Sequence, residues 1–366
     1  AIVCVTNDLA TDQRVRKTCL TLQKCGYKVL ETGRLLPDSL PFAPPYSIRR
    51  KRHWVNKGAL FYAEYNIRLF LFLLFAKVDL IYSNDLDTLL ACYLASKIRN
   101  KQLIYDTHEY FTEVPELISR PKVQRIWKRI ENWIFPKLTK IITVNQSIAD
   151  IYQKEYGKKV AVVRNIPLSF QPKEMKTREE LQLPTDKKII IIQGSGINID
   201  RGAEETIQAM QYLADFVLLI VGNGDVIPTL KNMVKELNLS ERVIFKSKMS
   251  FEQLRQHTIN ADLGLAMDKA ISINYQYALP NKLFDYIHSN IPILTNQELV
   301  EISKIIEEYK IGVFIENHTP KHIAEVIKNL FSDKEKFNQL KENTLIAKNE
   351  LCWEKEEQEL IKVIKK

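Results

Sequence analysis

The sequence predicts an α/β fold of two doubly wound domains, each a parallel sheet with helices on both faces. Three observations carry this expectation. Short apolar runs alternate with helix-length segments from one end to the other, the pattern of strands joined by crossover helices. The alternation breaks once, over residues 164–187, where Pro167, Pro172 and Pro184 sit among mixed charge. The chain has 366 residues, enough for two domains at roughly 100–200 each. The division expected is 1–165, 166–350, and a terminal helix over 351–366 that crosses back to the first domain.

In order, Ile2–Thr6 reads as a buried strand. Thr11 caps a helix reaching Cys25, and Gly26 closes it. Tyr27–Glu31 is the next strand, and Gly33–Asn56, rich in Pro and Arg, reads as a long loop. Gly58–Phe75 is helical. Val78–Ser83, Gln102–Asp106, Lys140–Val144 and Lys159–Val163 are strands, separated by helices over Leu86–Ile98, Pro121–Leu138 and Ser147–Tyr156. Past the break, strands over Lys188–Gln193, Phe216–Val221, Val243–Phe245, Asp262–Ala266, Pro292–Leu294 and Gly312–Ile315 alternate with helices. Those helices include Ala203–Leu213, Phe251–Asn260 and Asn281–His288. Two polar helices split near Leu351-Cys352-Trp353 end the chain.

Composition narrows the class. Hydrophobic residues at 45% and charged residues at 27% exclude a disordered, collagen-like or mucin-like chain. The longest strongly apolar run, Leu69–Ala76, is far short of the ~20 residues a spanning helix needs, so no membrane crossing is expected. Ala1–Thr6 has a buried-strand pattern without a basic leader, so no secretory signal is expected, and the absent Met suggests a trimmed start. Five widely spaced cysteines with no CxxC fit reduced thiols in the cytoplasm, and no histidine cluster suggests a metal. The net charge of +9 is uneven: residues 1–165 hold 27 Lys+Arg and 15 Asp+Glu, +12, whereas 166–366 hold 26 and 29, −3. The densest run is Arg49–Lys57. A basic face implies an anionic partner; no nucleic-acid-binding module fits the pattern, which leaves an anionic membrane surface or a phosphorylated substrate.

Ligands of doubly wound sheets bind beyond the carboxyl ends of the strands, so two facing domains predict a cleft with one ligand from each side. The loop after the first strand, Asn7–Asp12, has no glycine, and no Walker loop occurs, which disfavours dinucleotide and P-loop chemistry. Gly194-Ser195-Gly196, followed by Arg201 at a helix start, suits a diphosphate seat, or a tight turn with a surface arginine. Pro280-Asn281-Lys282 opens a helix whose first amides and Lys282 face an anion, with Asp285 one turn on to accept ribose hydroxyls; a helix start with a solvent-side Lys–Asp pair is the alternative. His108 and Glu109 follow a strand end in the first half, where a site is expected.

Taken in order, the segments Leu80–Leu89, Tyr105–Glu109, Ile142–Asn145, Val163–Pro167, Val221–Gly224, Arg242–Phe245 and Leu279–Tyr286 resemble the retaining glycosyltransferases of the GT-B fold, family four (GT4). The resemblance implies transfer from a UDP- or GDP-sugar without a metal or other cofactor. It implies His108, Arg201 and Lys282 as catalytic groups. It implies Ser195, Gly196, Gly222, Gly224, Asn281 and Asp285, with Arg201 and Lys282, as the donor seat. Asp12, Arg14 and Glu109 are acceptor-side candidates. The chain departs from the family at two places: Ser195-Gly196 stand where a first basic residue is usual, and Tyr277 stands where the first of two carboxylates is usual. The implied activity is hexosyl transfer to a glycan or lipid-linked acceptor in bacterial surface polysaccharide synthesis, in the cytoplasm and peripheral to the membrane through Arg49–Lys57. Two alternatives remain: a nucleotide-sugar epimerase using Asp85, Asp106, Glu109 and Glu113, and a non-catalytic partner subunit.

Overall fold

The computed structural model describes residues 1–10, 12–37, 39–169 and 174–365. The expected cap Thr11 and the linker residue Pro172 lie outside them. The chain forms two units, Ala1–Asn165 with Lys355–Lys366, and Ile166–Glu354.

The first unit runs β1 (Ile2–Asp8), α1 (Gln13–Lys24), β2 (Leu30–Arg34), β3 (Ser47–Lys51), α2 (Gly58–Phe75), β4 (Leu80–Asn84), α3 (Leu86–Arg99) and β5 (Gln102–Thr107). It continues through α4 (Pro115–Ile118), α5 (Pro121–Ile134), β6 (Lys140–Thr143), α6 (Gln146–Tyr156) and β7 (Ala161–Val162). Its sheet is parallel in the order β3-β2-β1-β4-β5-β6-β7, so the direction of winding reverses between β1 and β4. The N-terminal cap of α1 is Asp12, whose side chain accepts from the Val15 amide at 3.1 Å.

The second unit runs β8 (Lys188–Gly194), α7 (Ala203–Ala209), β9 (Phe216–Gly222), α8 (Ile227–Glu236), β10 (Val243–Lys246), α9 (Phe251–Ile259), β11 (Leu263–Ala266) and α10 (Ile273–Gln276). It closes with α11 (Asn281–His288), β12 (Ile293–Asn296), α12 (Val300–Tyr309), β13 (Gly312–Ile315), α13 (Pro320–Ser332) and α14 (Lys334–Glu350). Its parallel order is β10-β9-β8-β11-β12-β13, with the reversal between β8 and β11. Two apolar layers sandwich this sheet: Ile190, Ile192, Leu218 and Ile220 face one, and Ile189, Ile191, Leu219 and Val221 face the other. That period-two division within continuous apolar runs marks strands buried on both faces.

The last helix, α15 (Trp353–Lys365), is bound into the first unit by ions. Glu357 accepts from Thr21 Oγ1 at 2.7 Å and Lys24 Nζ at 2.8 Å, and Glu356 pairs with Arg164.

One expectation is corrected, and the composition argument behind another is revised. The long loop 33–56 contains strand β3, which pairs in parallel with β2 from Leu30↔Ser47 to Arg34↔Lys51. Its sequence, Ser-Ile-Arg-Arg-Lys, hides it, because an edge strand buries little and needs no apolar alternation. Secondly, a helix of spanning length and composition does occur. α2 has 18 residues at a mean hydropathy of 1.3, and 22% of it is buried. Its inward line, Phe61, Tyr65, Leu69 and Leu73, packs on Ile2, Cys4 and Ile81 of the sheet. Burial stabilises by about 1.5–3 kcal/mol per large side chain. The Tyr65 hydroxyl donates to the Val5 carbonyl at 2.6 Å. α2 is therefore tied to the sheet along one face only.

Glu31 on β2 is 0% exposed, and burial pushes its carboxyl up to about 7, opposed by the Tyr46 hydroxyl. Its unfolded value is about 4.3. The folded state thus holds the proton more tightly, a contribution complete below pH ~4 and lost as pH rises through about 7. Glu31→Gln removes that titration. Its thermal midpoint relative to wild type is expected to rise between pH 5 and pH 8; a difference independent of pH would contradict the assignment.

Candidate functional site

In the second unit the chemistry collects at the β8/β11 reversal. Asp268, two residues beyond β11 and 5% exposed, is held through its backbone carbonyl by Asn296 Nδ2 at 2.7 Å. Its carboxylate meets Lys282 Nζ at 3.0 Å and Arg201 Nη1 at 3.7 Å. Arg201 comes from the loop after β8 and Lys282 from the first turn of α11. The Arg201 guanidinium also lies 4.8 Å from the Tyr275 ring centre and donates to its hydroxyl at 3.2 Å. Lys269 pairs with Asp200 at 3.0 Å and Glu205 at 2.8 Å, and those two carboxylates hold its ammonium above the usual range.

α11 begins as the sequence suggests, with Pro280 in extended backbone immediately before Asn281. No side chain caps this helix start, and Asn281 is exposed there. Asp285 accepts from Gln193 Nε2 at 3.0 Å, and Gln193 Oε1 accepts from Thr258 at 2.7 Å. Tyr277 closes the short helix α10.

The glycines divide into two kinds. A Cβ on Gly222 (φ +140) would stand 1.8 Å from the Gly194 carbonyl oxygen, and one on Gly224 would stand 1.9 Å from that of Ile197. Both are required because the loops after β8 and β9 are laced together by Ile197 N to Asn223 O at 2.9 Å and Asn223 N to Gly194 O at 3.2 Å. By contrast, a Cβ on Gly196 would meet nothing nearer than Asn198 Nδ2 at 3.8 Å, and Ser195 is exposed. Gly222 and Gly224, expected beside a ligand, thus build the loop; Ser195 and Gly196 are the open part of it.

In the first unit, Asp106 at the end of β5 is 1% exposed and accepts from Arg14 Nη2 at 2.6 Å, Arg14 Nε at 3.1 Å and the Tyr82 hydroxyl at 2.8 Å. Burial alone would raise its pKa; the Arg14 guanidinium beside it holds it below the usual range. Arg14 is 3% exposed, and its Nη1 also donates to the Val163 carbonyl at 2.7 Å. This corrects its place among the acceptor-side candidates: the guanidinium is buried, with three of its five N–H donors on Asp106 and Val163, and does not line an open surface. Asp12 caps α1, and Glu109 is half-buried beyond His108.

His108 Nε2 lies 3.1 Å from Asn84 Oδ1 and its Nδ1 lies 3.2 Å from Asp85 Oδ2. Asn84 donates its amide to the Cys4 carbonyl, so its oxygen faces the ring and Nε2 carries the proton. Burial lowers the His108 pKa, while burial and then Asp87 push Asp85 well above the carboxylate range. With Nε2–H directed at Asn84 Oδ1, Nδ1 faces the Asp85 carboxyl. Asp85 has φ +57 and ψ 166, a conformation close to one reserved for glycine, at a cost of about 1–3 kcal/mol. Its amide donates to the Asp106 carbonyl at 2.8 Å and its Oδ1 accepts from the His108 amide at 2.8 Å, which hold it there. His108 is thus held at both nitrogens, with 19% of its side chain exposed.

Sequence reasoning missed Asp268 and Tyr275, and counted Asp85 only for the epimerase alternative. Position beyond a strand end would have flagged Asp85 and Asp268; Tyr275 carries no such signal. Among the described residues, no group of three or more His, Cys, Asp or Glu side chains is arranged to hold a metal.

Residues 14–166 match the family Glycosyltransferase Family 4, and residues 173–345 match Glycosyl transferases group 1. The chain belongs to the group 1, family 4 glycosyltransferases. No curated protein sequence matches it significantly. In fold, this glycosyltransferase is similar to sucrose-phosphate synthase from Thermosynechococcus elongatus (TM-score 0.78, 15% identity, 100% of this chain and 98% of that one). It is also similar to HepE from Anabaena in complex with UDP-glucose (0.75, 15%, 100% and 98%) and to a UDP-N-acetylglucosamine 2-epimerase from Listeria monocytogenes (0.66, 14%, 100% and 95%). The two parallel-sheet units are those of the GT-B fold.

The glycine division gives a direct check. Gly222→Ala is expected to destabilise the second unit by about 1–3 kcal/mol through overpacking against backbone. Gly196→Ala should leave the thermal midpoint within the ±0.5 kcal/mol typical of surface changes while weakening nucleoside diphosphate binding. Equal midpoints for the two variants would contradict the assignment.

Proposed function

We propose that this glycosyltransferase moves a hexosyl group from a UDP- or GDP-sugar to a glycan or lipid-linked acceptor with retention of configuration. Its place is surface polysaccharide assembly on the cytoplasmic side of a bacterial membrane. The observation that carries the reading is the Asp268 cluster at the β8/β11 reversal: one cation from the loop after β8 and one from the first turn of α11, beside the uncapped start of that helix. Departure of a nucleoside diphosphate builds charge on its phosphates. Arg201, Lys282 and the first amides of α11 would stabilise it there by preorganised electrostatics. Lys282 supplies a cation where the family's first basic residue is missing. Asp285, which accepts from Gln193, would accept ribose hydroxyls. UDP-glucose in the similar HepE structure supports a nucleotide-sugar donor. Retention rests on the family assignment.

The epimerase alternative is weakened at two of its four first-unit carboxylates. Asp106 is consumed by Arg14 and Tyr82, and Asp85 by His108.

The test is turnover of UDP-glucose and GDP-mannose by the full chain, following nucleoside diphosphate release and, by proton NMR, the first anomer of the freed sugar. Release with the donor's anomeric configuration is expected, and Arg201→Ala should lower kcat/KM by about 10²–10³. Inverted sugar, or C2 epimerisation of UDP-N-acetylglucosamine without transfer, would overturn the reading.

A further inference from the structure

α2 has a second face that the fold does not use. Leu60 (72% exposed), Ala63, Ile67 (60%), Leu71 (50%) and Phe75 (85%) recur every three or four residues and form one outward ridge along the helix. A solvent-facing ridge is ordinarily polar, because the core is served by the opposite side. The charged residues of α2 are Glu64 and Arg68, which pair with each other, and Glu64 also accepts from the Trp54 and Val55 amides. Trp54 stands 88% exposed beside the middle of α2, its ring 5.4 Å from the Arg68 guanidinium.

α5 approaches α2 on its inward side, where Tyr62 meets Trp127 of α5 edge to face at 5.2 Å. The exposed residues of α5 include Lys122, Arg125, Ile126, Arg129 and Trp133, which share one side of the helix at three- and four-residue spacing, with no exposed acid among them. Lys137 lies 4.7 Å from the Trp133 ring. The basic run 49–57 is only partly part of this surface. Arg49 stacks on Phe72 at 3.7 Å and Arg50 pairs with Asp8, whereas Lys51, Arg52 and Lys57 are exposed. Asp79, an exposed acid just beyond α2, lies 3.7 Å from Lys101.

We infer that the α2 ridge and the basic side of α5 together form the surface by which this protein lies on an anionic lipid bilayer, with α2 in the plane of the interface. This deepens the membrane-side reading above and rests on it for the acceptor, but not for the surface itself. Three features select the occupant. An apolar ridge bordered by Lys and Arg, with tryptophans at its margin, has the make-up of a helix seated at the headgroup level. Spanning is excluded by the inner line of α2, which closes the core over β1 and β4 and would be torn from it. A second copy is disfavoured because residues 1–165 carry +12, and like surfaces of that sign repel.

The experiment is cosedimentation of the full chain with vesicles of phosphatidylcholine alone and with 30 mol% phosphatidylglycerol. Wild type is expected to bind the anionic vesicles at least about tenfold better. Leu60→Ser/Ile67→Ser/Leu71→Ser/Phe75→Ser should lose binding to both while keeping the wild-type thermal midpoint, since all four are exposed. Arg125→Glu/Arg129→Glu should lose only the preference for anionic lipid. Wild type failing to bind, or the four-serine variant binding as wild type does, would overturn the proposal. Concentration-dependent dimerisation abolished by the serines would assign the ridge to a second copy, and resistance to alkaline carbonate extraction would make α2 a spanning helix; both outcomes also overturn it. The assay contains no sugar nucleotide, so its failure is distinct from failure of the transferase reading.

Discussion

A buried carboxylate that holds two cations near each other is the constraint on which the second unit's site depends. Arg201 and Lys282 come from different elements and would repel without Asp268 between them. With it, they are held near each other, and the three side chains together keep a net positive charge. The first unit uses the same device for a different end. Asp106 is closed around Arg14 and Tyr82, and that locked pair supports the turn carrying Asp85 and His108. Removing one partner of such a buried pair typically costs about 3–5 kcal/mol, because the other charge is stranded. One carboxylate therefore leaves its cations partly available, 29% exposed at Arg201, while the other seals its cation away at 3%.

Much of this was legible in the sequence because parallel-sheet strands announce themselves. The runs at Lys188–Gln193 and Phe216–Val221 are apolar on both faces and lie within one residue of the observed strands. The helix Asn281–His288 was marked by Pro280, and Arg201 and Lys282 by their place at helix starts. β3 was not legible. Its stability comes from backbone pairing with β2, and its side chains report the solvent and Asp8, not a core. Arg14 misled for a related reason: an arginine at a helix start reads as a surface charge, and only the fold brings Asp106, ninety-two residues away, against it. Asp268 offered only its position beyond a strand end; its contacts to Arg201 and Lys282 are made by the fold.

Strain and looseness also divide by role. Asp85 is forced into a glycine-like conformation at the β4–α3 turn and held there by His108 and Asp106, as is common where a fold spends stability on positioning. Gly222 and Gly224 do the opposite, letting two backbones meet without strain so that the outer loop stays open at Ser195 and Gly196. The α2 ridge is a third case, in which apolar surface is kept out of the core although the helix has a complete inner face.

The central claim is that Arg201 and Lys282, preset by Asp268, form the seat of a nucleoside diphosphate. Titration calorimetry of the full chain with UDP and with GDP, for wild type and for Arg201→Glu/Lys282→Glu, tests it most directly. The account predicts that wild type binds at least one of the two and that the double reversal weakens this by at least about a hundredfold, the loss of two charge-assisted contacts. Binding by the double variant with wild-type affinity would contradict it.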